Sequence, residues 1–140
     1  MNIRFFFQSK TSLQNRSNLK LFITSIFKKE KTKAQDLNII FCSDDFLLNI
    51  NREYLNHDYT TDIITFEISR DQNGITAEIY ISVDSIIKNS IDYQSTIKNE
   101  LHRVIFHGVL HLCGFKDKST KDIALMRSKE DEYLVLYFKK

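Results

Sequence analysis

Apolar side chains recur along this chain with two different periods, and the places where the period changes set out its elements. Residues 2–7, Asn-Ile-Arg-Phe-Phe-Phe, are β-rich and predict a short strand. From 12 to 30 the period lengthens, with Leu13, Leu19, Leu21, Phe22, Ile23, Ile26 and Phe27 mostly at helical spacing. Residues 36–42, Asp-Leu-Asn-Ile-Ile-Phe-Cys, read as a buried strand. Ser43 and Asp44 then offer an N-cap, and Phe46, Leu47, Ile50 and Tyr54 mark the helix that follows. Asp62–Ser69 and Thr76–Val83 are two β-rich runs joined by Asp71-Gln72-Asn73-Gly74, a strong hairpin turn. Asp84–Ser90 suits a short helix. Residues 94–113 predict a longer one, apolar nearly all round through Val104, Ile105, Phe106, Val109, Leu110 and Leu112, and so expected to lie buried. Ser119-x-x-Asp122 is an imperfect capping box that opens a last helix through about 136. Two crossover strands, one hairpin and several helices give an α+β fold. It is expected to be a small mixed sheet of about four strands packed with about four to five helices, with the 94–113 helix central.

Composition narrows the class. The chain has 140 residues, no proline and three glycines, without repeats or a linker-like stretch, so residues 1–140 are expected to form a single domain. Apolar residues make up 42% and charged residues 27%, ordinary for a soluble protein. No run approaches the ~20 apolar residues of a membrane span, and Phe5-Phe6-Phe7 is too short for a signal-peptide core. Cys42 and Cys113 do not suggest a disulfide framework, so a reducing, cytoplasmic setting is expected. The net charge is only +2 but uneven: residues 1–35 hold eight basic side chains and one acid, Glu30. That is either a solvated helix face and loop or a surface that favours phosphate contacts.

The chemistry concentrates at His107-Gly108-Val109-Leu110-His111-Leu112-Cys113-Gly114-Phe115-Lys116-Asp117. Two histidines four apart lie about 40° from each other around a helix axis. Gly114 can end that helix in the left-handed conformation, and the chain can then return the Asp117 carboxylate towards both imidazoles. Two nitrogens and one oxygen leave a coordination position open, the arrangement of a catalytic rather than a structural metal site. Neutral, hydrogen-bonded core histidines are the plainer alternative. The spacing His-x3-His-x2-Gly-x2-Asp favours the metal, since it matches the extended metzincin pattern with aspartate as third ligand. Zinc proteases carry a glutamate directly after the first histidine, and here that position is Gly108, which argues against peptide hydrolysis. A mid-helix glycine also needs a packing reason, and close approach of a neighbouring backbone is the simplest. His102 points roughly 140° away from His107 and is read as a core residue.

These residues resemble a known signature. His107-Gly-Val-Leu-His111-Leu-Cys-Gly114-Phe115 is similar to the histidine-rich motif of the YbeY family of ribosomal RNA maturation endoribonucleases. Asn51-Arg-Glu-Tyr54 followed by Asp58-Tyr-Thr-Thr61-Asp62-Ile-Ile-Thr65-Phe66 resembles a second block of that family, and Ala77-Glu78-Ile79-Tyr80-Ile81-Ser82 a third, in the same order. The resemblance covers roughly residues 36–135. It differs at Asp117, where the family has a third histidine, at Leu55, where it has an arginine implicated in activity, and at His57, where it has a lysine.

The resemblance implies one divalent metal ion per chain held by His107, His111 and Asp117, with zinc expected. A carboxylate ligand also suits manganese or magnesium. It implies single-stranded RNA as substrate, small-subunit ribosomal RNA as target, and the small ribosomal subunit or its assembly factors as partners, with no membrane and no DNA. Arg52 is the stand-in for the missing arginine. His57, Arg103 and Ser82 are expected to contact substrate, with His57 alternatively a base or a plain surface residue and Arg103 alternatively serving a carboxylate behind the ligands. Thr61, Asp62 and Ser82 are expected either on the cleft wall or as ordinary strand-end caps, and Tyr54, Tyr59, Tyr80 and Phe115 either stack on bases or pack in the core. A non-catalytic, metal-stabilised assembly factor that binds RNA is the first rival reading, and a small zincin-like metalloprotease the second.

Overall fold

The computed structural model describes residues 1–56 and 61–139. Its strands are β1 (Asn2–Phe7), β2 (Ala34–Cys42), β3 (Ile63–Asp71) and β4 (Gly74–Ser82). They form one sheet in the order β1-β2-β4-β3. β1 pairs in parallel with β2, and β2 in parallel with β4, whereas β3 runs antiparallel to β4 from Ile63 opposite Ile81 to Asp71 opposite Gly74. The turn residues Gln72 and Asn73 close that hairpin. Asp71 Oδ1 accepts from the Asn73 amide at 2.7 Å, and Gly74 takes φ +119°, which an L side chain rarely adopts.

The helices are α1 (Arg16–Lys29), α2 (Asp44–Tyr54), α3 (Val83–Asp92), α4 (Ile97–Leu112) and α5 (Thr120–Phe138). Among the described residues, the mixed α+β fold with four strands and five helices follows the pattern read from the sequence. The ends differ for local reasons. The helix expected from 12 starts at Arg16, because Asn15 is left-handed at φ 55°. The helix expected from 94 starts at Ile97, where the Thr96 hydroxyl accepts from the Asn99 amide at 3.0 Å. Val83 belongs to α3 and not to the strand, since Ser82 is the cap. Ser43 and Ser119 cap α2 and α5 as expected, each accepting from the amide three residues on.

Strand alternation sends two sets of side chains to opposite faces of the sheet. Leu37, Ile39, Phe41, Ile75, Ala77, Ile79 and Ile81 point into the main core, shared with α1, α4 and α5. Cys42 and Ile64 point the other way and meet Leu47 and Ile50 of α2, with Phe46, Phe66 and Tyr80 around them. α4 packs against α1, α3, α5 and the β3–β4 hairpin, so the expected central place of this helix is found. Among the described residues, no helix is long and apolar enough to cross a membrane. Both cysteines are free.

Candidate metal centre

The site grows from the way α4 is seated and the way it ends. Gly108 faces the hairpin: a Cβ there would stand 2.9 Å from Ile63 Cδ1 and 2.9 Å from Ile79 Cδ1. The close approach is therefore made by isoleucine side chains and not by a neighbouring backbone, which corrects the reading of that glycine. With Gly108 pressed to the sheet, His107 and His111 are turned towards the cleft beside it. At the helix end Gly114 has φ +101°. Its amide donates to the His111 carbonyl at 3.0 Å, while the Phe115 amide donates to the Leu110 carbonyl at 3.0 Å. These two bonds are the Schellman pattern, and they reverse the chain so that residues 115–117 pass back over the last turn.

Each imidazole is held by its Nδ1. His107 Nδ1–H donates to Glu130 Oε2 at 2.6 Å, and His111 Nδ1–H donates to the Phe115 carbonyl at 2.9 Å. Both Nε2 atoms are left facing the same carboxylate oxygen, Asp117 Oδ2, at 3.2 Å from His107 and 3.1 Å from His111. The three ligand-type atoms lie within 4.8 Å of one another. Donors at about 2.0–2.1 Å from a tetrahedral ion are separated by about 3.3 Å, so the observed spacings suit a small divalent cation. The donor set, two imidazoles and a carboxylate, suits zinc chemistry and tolerates harder ions.

The surroundings explain the electrostatics. Burial opposes the cationic form of His107, but the bond to Glu130 and the nearby Glu130, Asp117 and Asp62 carboxylates outweigh it and raise the pKa. Burial raises Asp62 above the ordinary carboxylate range, partly offset by His107. Glu100, on α4, is also raised by burial, against the pull of Arg103. Glu130 and Glu100 are each only 4% exposed. Arg103 joins them: Nη1 donates to Glu130 Oε1 at 3.0 Å, Nη2 donates to Asp131 at 2.6 Å, and Nε lies 3.8 Å from Glu100. Beside this network opens a cleft of about 620 Å³, walled by Thr61 and Asp62 and by β3 at Ile63, Thr65 and Glu67, by Asn89 of α3 and Tyr93 just after it, and by α5 at Ile123, Met126 and Arg127.

The structure brings His107, His111 and Asp117 together, with Thr61, Asp62 and Arg103 in the same cleft. Arg103 is tied to carboxylates, so it takes the second of its two expected places, behind the ligands, and not a substrate contact. Ser82 takes the capping place that was its alternative, and not a place at the substrate. It is fully buried and absent from the cleft lining; its hydroxyl caps α3 at the Ser85 amide and bonds to Asp44. Arg52 is exposed on α2 and does not line the cleft. His57 and Tyr59 lie outside the described residues. His102 is 3% exposed, donates to the Lys98 carbonyl at 2.7 Å and stacks on Tyr137, as a core residue should. Tyr80 packs on Phe46 and Phe66 on the far side of the sheet, Tyr54 meets Phe66 edge-on, and Phe115 packs against the main core. The exposed ring at the cleft is instead Tyr93.

Sequence reasoning missed Glu130. A signal was present: on α5, Met126, Glu130, Tyr133 and Leu134 form one buried stripe, and a carboxylate inside an apolar stripe needs a partner.

A sheet carrying a central helix that turns two histidines and a returning acid into an open polar cleft defines an α+β protein with a site that could hold a divalent metal ion. The family model described as Endoribonuclease YbeY matches residues 5–137. Relatives of that name include proteins from Cytophaga hutchinsonii, 48% identical with 94% of each chain covered, and Flavobacterium johnsoniae, 41% identical with 96% of each covered. A third, from Karelsulcia muelleri, is 41% identical over 99% of this chain and 97% of its own. The solution structure of a Thermotoga maritima protein is also similar, with a TM-score of 0.67 and 30% identity over 97% of this chain and 89% of the other. The chain belongs to the YbeY family of endoribonucleases.

Proposed function

We infer that this chain is a metal-dependent endoribonuclease that cuts single-stranded RNA, and that its target is ribosomal RNA of the small subunit during maturation and quality control. The convergence of His107 Nε2, His111 Nε2 and Asp117 Oδ2 on one point in an open cleft carries this reading. The names of the relatives support the reaction class. Zinc is the ion that the two imidazoles favour. Cytoplasmic action, with the small ribosomal subunit or an assembly factor as partner, fits an RNA-processing role.

A divalent ion held by the three residues would supply Lewis-acid stabilisation to a phosphodiester and its attacking group. The chain's own groups prepare for that. Glu130 and the Phe115 carbonyl each hold an Nδ1 proton, so both imidazoles present an Nε2 lone pair at fixed orientation. Arg103 holds Glu130 in place through an ion pair of 3.0 Å. Gly108 stands where a zinc protease would carry its glutamate, so the chain lacks the usual proton carrier for peptide hydrolysis.

The test is direct. Metal-loaded protein incubated with a 5′-labelled single-stranded RNA should cut it internally. Chelation, His107→Ala and His111→Ala should each abolish cutting, and returning zinc to the chelated protein should restore it. Intact RNA after incubation with fully metal-loaded wild-type protein would sink the reading in favour of a non-catalytic RNA-binding role.

A further inference from the structure

Among the described residues two arginines line the cleft, and only one of them is enclosed by carboxylates. Arg103 is enclosed by Glu130, Asp131 and Glu100, with a side chain 12% exposed. Turning it towards a substrate would leave two buried carboxylates without their cation, a strongly unfavourable change. Arg127 stands one turn before Glu130 on α5 and lines the same cleft as His107, His111 and Asp117. Its side chain is 53% exposed, and its ion pair with Glu130 is a long one, 3.9 Å to Oε1. That distance is beyond a hydrogen bond. The oxygen it faces already accepts from Arg103 at 3.0 Å. A loose, exposed pair of this kind contributes little to stability. Among the described residues, the cleft lining holds no lysine and no other arginine.

We propose that Arg127 is the phosphate-binding residue of the cleft, gripping the non-bridging oxygens of an RNA backbone phosphate next to the His107–His111–Asp117 point. This rests on the RNA reading of the site. A guanidinium offers a planar fork of donors that fits two phosphate oxygens at once, and it keeps its charge at any physiological pH. Its contact is to the backbone, so it sets the register of the strand without selecting bases. Place decides against Arg52 for this role: Arg127 is in the cleft and Arg52 is not.

Arg127→Ala, Arg127→Lys and, as an equal change of net charge outside the cleft, Lys98→Ala test the assignment. Binding is read by fluorescence anisotropy of the metal-loaded protein with a labelled 2′-O-methyl oligoribonucleotide over a salt series, and cutting by steady-state kinetics on the cleavable strand. Arg127→Ala should weaken binding about tenfold and reduce the salt slope by about 0.7, the share of one phosphate contact on a single strand. KM should rise more than kcat falls. Arg127→Lys should recover part of the affinity, which a misfolded variant would not, and Lys98→Ala should bind as wild type. If wild type binds and cuts RNA while Arg127→Ala matches it in affinity and salt slope, the proposal is wrong and the nuclease reading stands. If wild type neither binds nor cuts, both fall together.

Discussion

His107 Nδ1 lies 2.6 Å from Oε2 of Glu130, a carboxylate that is almost completely buried on a different helix. This bond ties the first ligand helix to α5 and chooses the tautomer that sends the His107 Nε2 lone pair into the cleft. Partners of this kind behind a metal-binding histidine typically change metal affinity 10–100-fold. Glu130→Ala should lower zinc affinity by about that factor in a competition titration with a chromogenic chelator. It also leaves Arg103 partly buried against fewer carboxylates, so thermal or urea unfolding should show a loss of about 3–5 kcal/mol. Unchanged zinc affinity would remove Glu130 from the site.

The raised pKa of His107 predicts how the metal-free protein responds to pH. Burial lowers this pKa, but Glu130 and the surrounding carboxylates outweigh it, so the folded state binds the proton more tightly than the unfolded chain does, whose value is near 6.5. The stabilisation is fully present below pH 6.5 and is lost as pH rises through the higher folded value. Metal-free protein should therefore show a falling contribution from this group above pH 6.5. The same proton competes with the ion at Nε2, so metal affinity should rise over that window. Paired melts of wild type and His107→Gln across pH 6–9 check the sign; parallel curves would contradict it.

Gly108→Ala sets two effects against each other. Alanine favours the helix by about 1 kcal/mol, but its Cβ would lie 2.9 Å from the methyl ends of Ile63 and the fully buried Ile79. Overpacking of a filled core costs about 1–3 kcal/mol, so the expected net result is a destabilisation of up to about 2 kcal/mol in urea unfolding. The strain falls between the two ligand histidines, and zinc affinity should fall with it. Gly108→Ala combined with Ile79→Val, which removes one of the opposing methyls, should recover part of both losses.

Local patterns in the chain determined a good deal. Period-two and helical spacing, the Ser43 and Ser119 caps and the Asp71–Gly74 turn specify the elements, because each depends on residues within a turn of one another. The same holds for the ligand triad: His107 and His111 share a helical face, and Gly114 permits the reversal that returns Asp117, all within eleven residues. Tertiary packing decided the rest. Glu130 meets His107 across 23 positions of sequence, Arg103 finds its carboxylates on α5, and Ser82 turns inward to cap a helix while Arg127 faces the cleft. Such pairings follow from which stripe of α5 is buried against α4. The sequence marks that stripe, but only the folded packing of the two helices fixes its partner.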